Sequence, residues 1–428
     1  MSTPLSAIVM AAGLGTRMKS QTPKHLHPLL GLRVVDWVVI AAQAAGADPV
    51  VVVTSPDARD AFDGLPVAVQ EQPLGTGDAV RAARSALEGA SGNVLVLNGD
   101  VPALSEDVVR ALVATHDATG AAATVLSFEP DDARAYGRVV RDGGGNVARI
   151  VEAADATPDE LELREVNSGI YVFDAARLWP LLDRLQPHNA QGELYVTDTI
   201  GFLVDDGARV AVHVAPDPLE AEGVNTRVEL AAAAAALRDR INEQHMLAGV
   251  TIVDPQTTWI EAGVEIEPDV TIHPFTVIRG GVRIATGAEL GPFAYVRPAT
   301  DLGAGVKIGT FVEVKASVVG AGTKIPHLSY IGDAEIGENT NIAAGNVTAN
   351  FKHEPGQPKA KTRIGSNVRT GVDNTFDAPV AVGDDAWLAP GAVITDDVPP
   401  GSLAGFAPRQ ETKEGWVYEK HGKPDGND

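Results

Sequence analysis

The amino-acid sequence predicts an α/β protein with two unlike halves: a mostly parallel sheet covered by helices, and then a parallel β-helix. Short apolar runs alternate with helical stretches over residues 1–228, and this alternation is typical of a parallel sheet with helices on both faces. From residue 250 onward, aliphatic residues recur every six positions, a period that belongs neither to a helix nor to a strand. An alanine-rich stretch separates the two patterns.

Apolar runs in the first half predict strands, and amphipathic stretches between them predict helices. The predicted strands are SAIVMAA, DPVVVVTS, GNVLVLNGD, AAATVLSF and RVAVHVAP. The predicted helices, with apolar residues at three-to-four spacing, are VVDWVVIAAQAAG, GDAVRAARSALEG and SEDVVRALVATHDATG. In a sheet of this kind, ligands gather at the carboxyl ends of the strands.

Residues 227–248 predict one connecting helix, because the alanine run has a high helix propensity and charged residues flank it. We therefore expect a first domain over 1–228, a linker helix over 229–249 and a β-helix domain over 250–428. In a β-helix, one aliphatic side chain per short strand points inward. The side chains in this register are Ile260, Ile266, Ile272, Ile278, Ile284, Leu290, Val296, Leu302, Ile308 and Val314, then Val319, Ile325 and Ile331, and finally Ile364, Thr370, Phe376, Val382, Leu388 and Ile394.

Composition and charge narrow the classes of function. The net charge of −23 argues against broad binding to nucleic acid or to an anionic membrane, so the expected partners are small molecules. The sequence shows no signal-peptide pattern, and no apolar stretch approaches the ~18 residues of a membrane span. The absence of cysteine excludes disulfides and thiolate zinc sites and is compatible with a reducing cytosol. We expect a cytoplasmic protein.

The glycine-rich loop in IVMAAGLGTRMKSQTPKHLHPL, residues 8–29, points to phosphate chemistry. A dinucleotide fingerprint would need a third glycine where Met18 stands, and a P-loop would need a Gly-Lys-Ser/Thr sequence that is missing. Gly13 and Gly15 allow backbone N–H groups to approach phosphate oxygens. Arg17 and Lys24 add the positive charges that a polyphosphate substrate requires.

Asp100 and His327 are the most informative single residues outside that loop. Asp100 closes the apolar strand VLVLNG, where a carboxylate can hold Mg²⁺ against a triphosphate or simply cap the strand. His327 interrupts the hexapeptide pattern, with Tyr330 three residues later. Polar groups of this kind are not expected in the apolar interior of a solenoid, so we expect them to line a functional site. The alternative is that His327 is a structural histidine with satisfied hydrogen bonds. A neutral imidazole can take a proton from an attacking amine.

The segment MAAGLGTRMKSQTPKHLHPL resembles the signature of sugar-1-phosphate nucleotidyltransferases. With its hexapeptide half, the chain resembles the bifunctional N-acetylglucosamine-1-phosphate uridyltransferases/glucosamine-1-phosphate acetyltransferases over nearly its whole length. Further matching motifs follow in order: QEQPLGTGDA, LNGDVP, AYGRVV, IVEAADA, VNSGIY, NAQGELYVTD and EGVNTR.

This resemblance implies a Rossmann-like nucleotidyltransferase domain followed by a left-handed parallel β-helix. It implies synthesis of UDP-N-acetylglucosamine from glucosamine-1-phosphate, acetyl-CoA and UTP with Mg²⁺, for bacterial cell-wall and lipid precursors. It also implies a homotrimer with acyl sites between subunits.

The same resemblance implies roles for individual residues. Arg17 and Lys24 would steady the phosphates, Asp100 and Asn225 would hold Mg²⁺, and His327 would be the general base of acetyl transfer. The implied UTP and UDP-N-acetylglucosamine site comprises Ala11, Ala12, Gly13, Lys24, Gln70, Gly75, Thr76, Asn98, Gly99, Asp100, Gly137, Glu152, Asn167 and Asn225. The implied glucosamine-phosphate site comprises Arg297, Lys315, Tyr330, Asn341 and Lys359, and the implied acetyl-CoA site comprises Ala344, Asn350, Phe351, Val372, Pro390 and Ala407.

Three other functions stay open from the sequence. Phe351, Val372 and a lengthened loop over 350–365 leave room for a uridyltransferase alone, with the β-helix as a trimerisation scaffold. A nucleotidyltransferase for another sugar or nucleotide is a second possibility, against which Glu152 and Asn167 argue. A regulatory sugar-nucleotide-binding subunit is a third, but it would not need both the metal ligands and the phosphate-binding charges.

Overall fold

A computed structural model describes residues 3–13, 15–133, 136–351, 356–405 and 412–421 of the chain. The chain divides into two compact units, Met1–Arg240 and Ile241–Asp428. The division falls inside one long helix, Arg227–Leu247, which confirms the single helix predicted from the alanine run. The predicted domain boundaries at residues 228 and 249 stay predictions.

The first unit is built on a nine-stranded mixed sheet. Its strands and those of a short hairpin are β1 Leu5–Ala11, β2 Pro28–Leu29, β3 Leu32–Arg33, β4 Val50–Thr54, β5 Val67–Val69, β6 Asn93–Asn98, β7 Ala123–Phe128, β8 Arg138–Arg141, β9 Val147–Val151, β10 Val166–Asp174 and β11 Val210–Val214. The strand order is β11-β7-β10-β6-β1-β4-β5, with β8 and β9 beyond β10. All five strands predicted from the sequence are present. The sheet is less parallel than predicted, because β10 lies antiparallel between β6 and β7.

Helices cover both faces of this sheet. The helices of the chain are α1 Val34–Ala44, α2 Thr76–Ala82, α3 Glu106–Thr119, α4 Pro158–Leu161, α5 Ala175–Leu182, α6 Asp198–Asp205, α7 Arg227–Leu247 and α8 Trp416–His421, with 3₁₀ turns at Thr16–Met18, Lys24–Leu26, Pro56–Phe62, Arg84–Leu87 and Pro218–Glu220. Alternate strand residues face opposite cores, since the side-chain period of a strand is two. Val9 and Leu95 pack with α1 and α3, whereas Ile8 and Val94 pack with α2, α5 and α6.

The second unit is a parallel β-helix made of three sheets. The first sheet contains Thr251–Ile252, Thr271–Ile272, Glu289–Leu290, Lys307–Thr310 and Lys324–His327, and later Trp387–Leu388 and Leu403–Ala404. The second contains Trp259–Ile260, Val277–Ile278, Tyr295–Val296, Glu313–Lys315, Tyr330–Gly332, Val347–Ala349, Thr375–Asp377 and Val393–Ile394. The third contains Glu265–Ile266, Val282–Ile284, Thr300–Leu302, Val318–Val319, Ala334–Ile336, Thr362–Ile364 and Val380–Val382.

The six-residue aliphatic register forms the interior of this β-helix. Every side chain predicted to point inward is buried, except Ile266, which is half-buried. Ile336 and Ile342 continue the interior through a coil that the sequence pattern did not include. None of the helices that the structure describes has both the length and the apolar composition of a membrane span.

Candidate active sites

The glycine-rich loop leaves β1 at the carboxyl edge of the sheet and folds over Lys24. Gly15 has a left-handed backbone, with φ of 62°, and a Cβ atom at this position would lie 2.7 Å from the Cβ of Lys24. Ala11 ends β1, and Ala12 and Gly13 follow it at this edge. A residue with a side chain at position 15 would therefore push the loop away from Lys24.

Four charged or polar side chains predicted to act together converge beside this loop. Lys24 forms an ion pair with Asp100 and donates a hydrogen bond to Asn225 Oδ1 over 3.0 Å. Arg17 Nη2 donates to the same oxygen over 2.9 Å. Burial alone would raise the pKa of Asp100, but the ammonium of Lys24, together with His25 and hydrogen bonds, lowers this pKa below its ordinary value.

A backbone hydrogen bond joins the two segments that carry Asp100 and Asn225. Asp100 follows β6, and its backbone carbonyl accepts a hydrogen bond from the N–H of Val224 over 2.7 Å. Asn225 directly precedes a capping box at the start of α7, in which Thr226 and Glu229 satisfy each other's backbone N–H groups. The cap places the Asn225 amide beside the carboxylate although the two residues are far apart in sequence.

The donor set around Lys24 fits a hard divalent cation. One ammonium contacts both the Asp100 carboxylate and Asn225 Oδ1, so the two oxygens lie close enough to share a single cation. Carboxylate and amide oxygens with room for water are the ligands that Mg²⁺ prefers. Among the described residues, no group of three or more His, Asp or Glu side chains forms a separate metal cluster.

A cavity of about 190 Å³ is lined in part by Asp100 and Asn225 of this charged cluster. Glu152 and Thr197 both line this cavity, and Thr197 donates a hydrogen bond to Glu152 Oε1 over 3.1 Å. Burial raises the pKa of Glu152. The predicted residues that line the cavity are Thr76, Asn98, Asp100, Gly137, Glu152, Asn167 and Asn225.

Close backbone packing explains the glycines of this cavity. A Cβ atom on Gly99 would lie 2.8 Å from the Met10 carbonyl, and one on Gly137 would lie 3.2 Å from Glu152 Oε2. A β-bulge in β10 between Asn167 and Ile170 turns the Asn167 amide so that it donates to the Tyr171 hydroxyl over 2.7 Å.

Several residues of the cavity were not predicted from the sequence. Thr197 holds Glu152, Tyr136 accepts a hydrogen bond from the Gly223 N–H over 3.1 Å, and Gly169 approaches Asn98 so closely that a Cβ atom would lie 2.1 Å from Nδ2. All of them belong to motifs that the resemblance identified. Their residue types alone carry no chemical signal, so only their positions in those motifs could have indicated them.

The segment Gln70–Thr76 lies at the carboxyl end of β5 and the start of α2. Gln70 Nε2 donates to the Gly75 carbonyl over 3.0 Å and to Asp78 Oδ2 over 3.1 Å. Gly75 has φ of 112°, and Thr76 Oγ1 accepts a hydrogen bond from the Val196 N–H over 3.0 Å. Gln70, Gly75 and Thr76 are therefore brought together as one unit.

A second cluster lies on the second sheet of the β-helix. Arg297 pairs with Glu313 over 2.7 Å, and Lys315 lies 3.8 Å from Asp333. The neighbouring Lys359 is the main cause of a lowered pKa at Lys315. Three cations predicted from separate motifs are therefore neighbours.

Tyr330 lies beside these cations. Its hydroxyl accepts a hydrogen bond from Asn350 Nδ2 over 3.3 Å. A Cβ atom on Gly332 would lie 2.4 Å from that hydroxyl, so only glycine leaves the ring room. The Tyr330 hydroxyl and the Asn350 amide thus contact each other next to the three cations.

His327 lies where the first sheet turns into the second, an edge that we call the first corner. Strand pairing runs from Tyr330 to Val347, then to Thr375 and to Val393. The residues three positions before these partners are His327, Ala344, Val372 and Pro390. Corner hydrogen bonds keep the same register, from the Asp373 N–H to the Ala344 carbonyl and from the Gly391 N–H to the Val372 carbonyl, both over 2.8 Å. His327 and three predicted acetyl-CoA residues therefore stack on successive coils.

The residue after each member of this stack has a left-handed backbone. Bulky Leu328 follows His327, whereas Gly345, Asp373 and Gly391 follow the other three members. On the coils that precede His327, the equivalent left-handed residues are also bulky: Phe275, Phe293 and Phe311. The three phenylalanine rings stack at centroid distances of 4.8 and 5.2 Å. We call these four bulky residues the aromatic ladder.

The assignments of Asn341, Phe351 and Ala407 stay predictions. Asn341 lies in the first sheet, between Lys324 and Arg369, whereas Tyr330 belongs to the second sheet. Phe351 has a largely exposed side chain. Ala407 lies outside the described residues.

Comparison with known proteins agrees with both halves of this description. Residues 7–197 match the family model of a MobA-like NTP transferase domain, and residues 263–298 match the bacterial transferase hexapeptide model of six repeats. The chain is similar to proteins named bifunctional protein GlmU. It is 45% identical to that of Streptomyces coelicolor over 97% of this chain and 95% of the relative.

Further relatives carry the same name. The identity is 44% to the protein of Corynebacterium efficiens, covering 97% of this chain and 94% of the relative, and 43% to that of Mycobacterium tuberculosis, covering 97% and 92%. The family resemblance stated from the sequence motifs is confirmed by these matches. Because they extend over nearly the full length of both chains, this protein belongs to the family of bifunctional GlmU proteins.

Proposed function

We propose that this chain makes UDP-N-acetylglucosamine in two steps. The first transfers an acetyl group from acetyl-CoA to glucosamine-1-phosphate, and the second transfers a uridylyl group from UTP to N-acetylglucosamine-1-phosphate with release of pyrophosphate. The convergence of Arg17, Lys24, Asp100 and Asn225 on one point beside the cavity is the observation that carries this proposal. We assign uridylyl transfer to residues 1–228 and acetyl transfer to residues 250–428, joined by the helix over 229–249.

In uridylyl transfer, a phosphate oxygen of the sugar attacks the α-phosphorus of UTP, and pyrophosphate leaves. Lys24 and Arg17 neutralise charge on the triphosphate, and the loop over Ala11–Gly13 offers backbone N–H groups to its oxygens. Glu152 and Asn167 bind the sugar through its hydroxyl and N-acetyl groups. Mg²⁺, held by Asp100 and Asn225, would supply further charge neutralisation.

In acetyl transfer, the amine of glucosamine-1-phosphate attacks the thioester carbonyl and the CoA thiol leaves. His327 takes the proton from the attacking nitrogen. Arg297, Lys315 and Lys359 bind the sugar phosphate, and Tyr330 helps to orient the sugar. The neighbouring positions of these three cations support the assignment of Lys359, which the sequence could place least securely.

The stack of small residues above His327 supports the acetyl-CoA assignment. Ala344, Val372 and Pro390 follow His327 on successive coils, and the adjoining left-handed residues Gly345, Asp373 and Gly391 are small or polar. A long, thin ligand can lie along such a corner with its reactive end at His327. Asn350 and Phe351 would then border this ligand.

We also propose that the protein is a homotrimer, and the aromatic ladder supports this. Left-handed residues at the other corners are small or polar, such as Ala299, Ala316 and Asp385. A bulky side chain in that conformation is energetically unfavourable, yet Phe311 remains 59% exposed. A neighbouring copy that covered the ladder would remove this apolar surface from water. We further propose that the enzyme is cytoplasmic.

A two-stage assay tests the proposed function. The protein is incubated with glucosamine-1-phosphate, acetyl-CoA and Mg²⁺ while free thiol is measured, and UTP is then added while pyrophosphate is measured. We expect His327→Ala to abolish thiol release and Asp100→Ala to abolish pyrophosphate release, because each side chain serves one reaction only. For the His327 variant, pyrophosphate is measured with N-acetylglucosamine-1-phosphate supplied directly.

Matched controls come from exposed residues of the same types. His188→Ala and Asp159→Ala change an exposed imidazole and an exposed carboxylate away from both clusters, and both signals should persist. Pyrophosphate without thiol in the unmodified protein would reduce the assignment to a uridyltransferase with a β-helix scaffold. Loss of both signals in either site variant would contradict two independent sites.

A further inference from the structure

The side-chain amide of Gln70 has a fixed orientation. Both hydrogen-bond partners of Nε2 are acceptors, the Gly75 carbonyl at 3.0 Å and the Asp78 carboxylate at 3.1 Å. An amide oxygen in place of Nε2 would face two acceptors with no hydrogen to share, so the nitrogen must lie on this side. The Oε1 atom therefore points away from Asp78, and it accepts no hydrogen bond from the residues that the structure describes.

The two acceptors are themselves held in place. The Gly77 N–H donates to the Leu194 carbonyl over 2.7 Å, and the Leu194 N–H donates to the Leu74 carbonyl over 2.8 Å. A Cβ atom on Gly75 would lie 2.6 Å from the Leu194 carbonyl, so this turn cannot shift easily. Asp78 is further fixed by Arg81 at 2.6 Å, and its side chain is only 15% exposed.

Gln70 and Asp78 both border a shallow surface groove, and Thr76 of the same turn borders the cavity next to Asp100. A nucleotide with its phosphates at Lys24 and its base in this groove would present the base edge to the Gln70 amide. Gln70 itself is 7% exposed, so a base group that it failed to pair with would leave a nearly buried polar atom unsatisfied.

We propose that Asp78 is a specificity-determining residue, because it holds Gln70 in the orientation that accepts a hydrogen bond from uracil and rejects cytosine. Uracil carries a hydrogen on N3, which can be donated to Oε1. Cytosine presents a lone pair at the same position, so two acceptors would face each other. Asp78 does not need to contact the base, and it acts through the amide that it orients.

This inference rests on the proposed uridylyl transfer, and the test separates the two. The kcat/KM values for UTP and for CTP are measured with N-acetylglucosamine-1-phosphate and Mg²⁺ in the unmodified enzyme, Asp78→Ala, Asp78→Asn and Glu88→Ala. We expect the ratio of UTP to CTP to fall about tenfold in Asp78→Ala, since only the weaker bond to the Gly75 carbonyl still orients the amide. In Asp78→Asn the ratio should fall by less, because asparagine can present either an oxygen or a nitrogen to Gln70.

Glu88→Ala is the matched control, because it removes an exposed carboxylate at the end of the next 3₁₀ turn, outside the hydrogen bonds that orient Gln70. We expect this variant to keep the ratio of the unmodified enzyme. The proposal would be overturned if both folded Asp78 variants kept the UTP-to-CTP ratio of kcat/KM, including the case in which kcat/KM fell equally with both nucleotides. Asp78 would then have only a structural role. If Asp78→Ala does not fold, the nearly isosteric Asp78→Asn decides alone.

Failure of the proposed function would look different. An unmodified enzyme that released no pyrophosphate from UTP would contradict uridylyl transfer. Calorimetric binding of UTP and CTP to the same variants would then still test whether Asp78 sets the preference. Equal affinities of the unmodified protein for the two nucleotides would overturn the inference in that case.

Discussion

The ammonium of Lys24 forms an ion pair with the carboxylate of Asp100 at the carboxyl edge of the sheet. Both side chains are nearly buried, and Lys24 also reaches Asn225 Oδ1. The two oxygens that would hold Mg²⁺ are thus engaged by a cation of the protein itself. Asp100 and Asn225 would hold Mg²⁺ once the Lys24 ammonium moved away, and that ammonium would then be free to meet the triphosphate.

This competition predicts a gain of metal affinity when the ammonium is removed. In Lys24→Met we expect the nucleotide-free protein to bind Mn²⁺ about tenfold more tightly, because a unit charge a few ångströms away no longer opposes the ion. Turnover of UTP should decrease at the same time, since the phosphates lose a cation. Electron paramagnetic resonance of free Mn²⁺ measures the affinity. Lys19→Met removes an exposed cation of the same loop and should change neither quantity; equal affinities in all three proteins would contradict the competition.

Replacement of Gly15 by alanine should impair uridylyl transfer selectively. The new Cβ would lie 2.7 Å from the Cβ of Lys24, and this part of the lysine cannot move without its backbone. We expect kcat/KM for UTP to fall at least about tenfold while thiol release from acetyl-CoA persists. Gly64→Ala is the matched control, because Gly64 also has a positive φ but a Cβ atom there meets nothing within 4 Å. A similar loss in both variants would attribute the effect to backbone strain.

Low pH should destabilise the folded state of the first unit, because a buried histidine binds protons more readily in the unfolded chain. Burial lowers the pKa of His25 from 6.5 to about 4, so between these pH values the unfolded chain binds more protons than the folded chain. The contribution of His25 to the free energy of unfolding is therefore complete above pH 6.5. It decreases as the pH falls toward 4, by about 3 kcal/mol at most. Thermal unfolding in a chelator measures this effect.

The variant His25→Val should flatten this pH dependence. Its melting temperature should decline less than that of the unmodified protein between pH 6.5 and 4.5, although burial also lowers the pKa of His116 and some decline should remain. His188→Val alters an exposed histidine and should leave the decline unchanged. The same decline in His25→Val would show that His25 does not titrate as described.

The aromatic ladder should control association of the chain. In the double variant Phe293→Asp and Phe311→Asp we expect sedimentation to show a smaller species than in the unmodified protein, because two charges would face the neighbouring copy. Thiol release should fall with it, whereas pyrophosphate release should persist. Val318→Asp is the control, since Val318 is 53% exposed on the third sheet and pairs with Asp301 and Glu335 there. Unchanged sedimentation of the double variant would contradict the proposed contact.

The sequence alone predicted much of the architecture because its signals are local. A six-residue period requires an inward side chain in each short strand, and all but one of the predicted side chains are buried. The glycine-rich loop and the Asp100 motif could be interpreted from a few adjacent residues each. The roles of Asn225 and Lys359 depended on the family resemblance, since an isolated amide or lysine carries no chemical signal.

Other features became visible only in the tertiary structure. Strand β10 joins the sheet antiparallel, a pairing that no local pattern specifies. The alignment of His327 with Ala344, Val372 and Pro390 depends on coils of unequal length, one of which contains the loop after Asn350.

The sequence by itself determined which residue types are available and which periodicity they follow. The tertiary structure decided which of them meet: Lys24 with Asp100, and Gln70 with Asp78. The physical reason is that periodicity acts within a few residues of the chain. A contact between residues far apart in sequence depends instead on where each strand ends and on the length and path of the connecting segment.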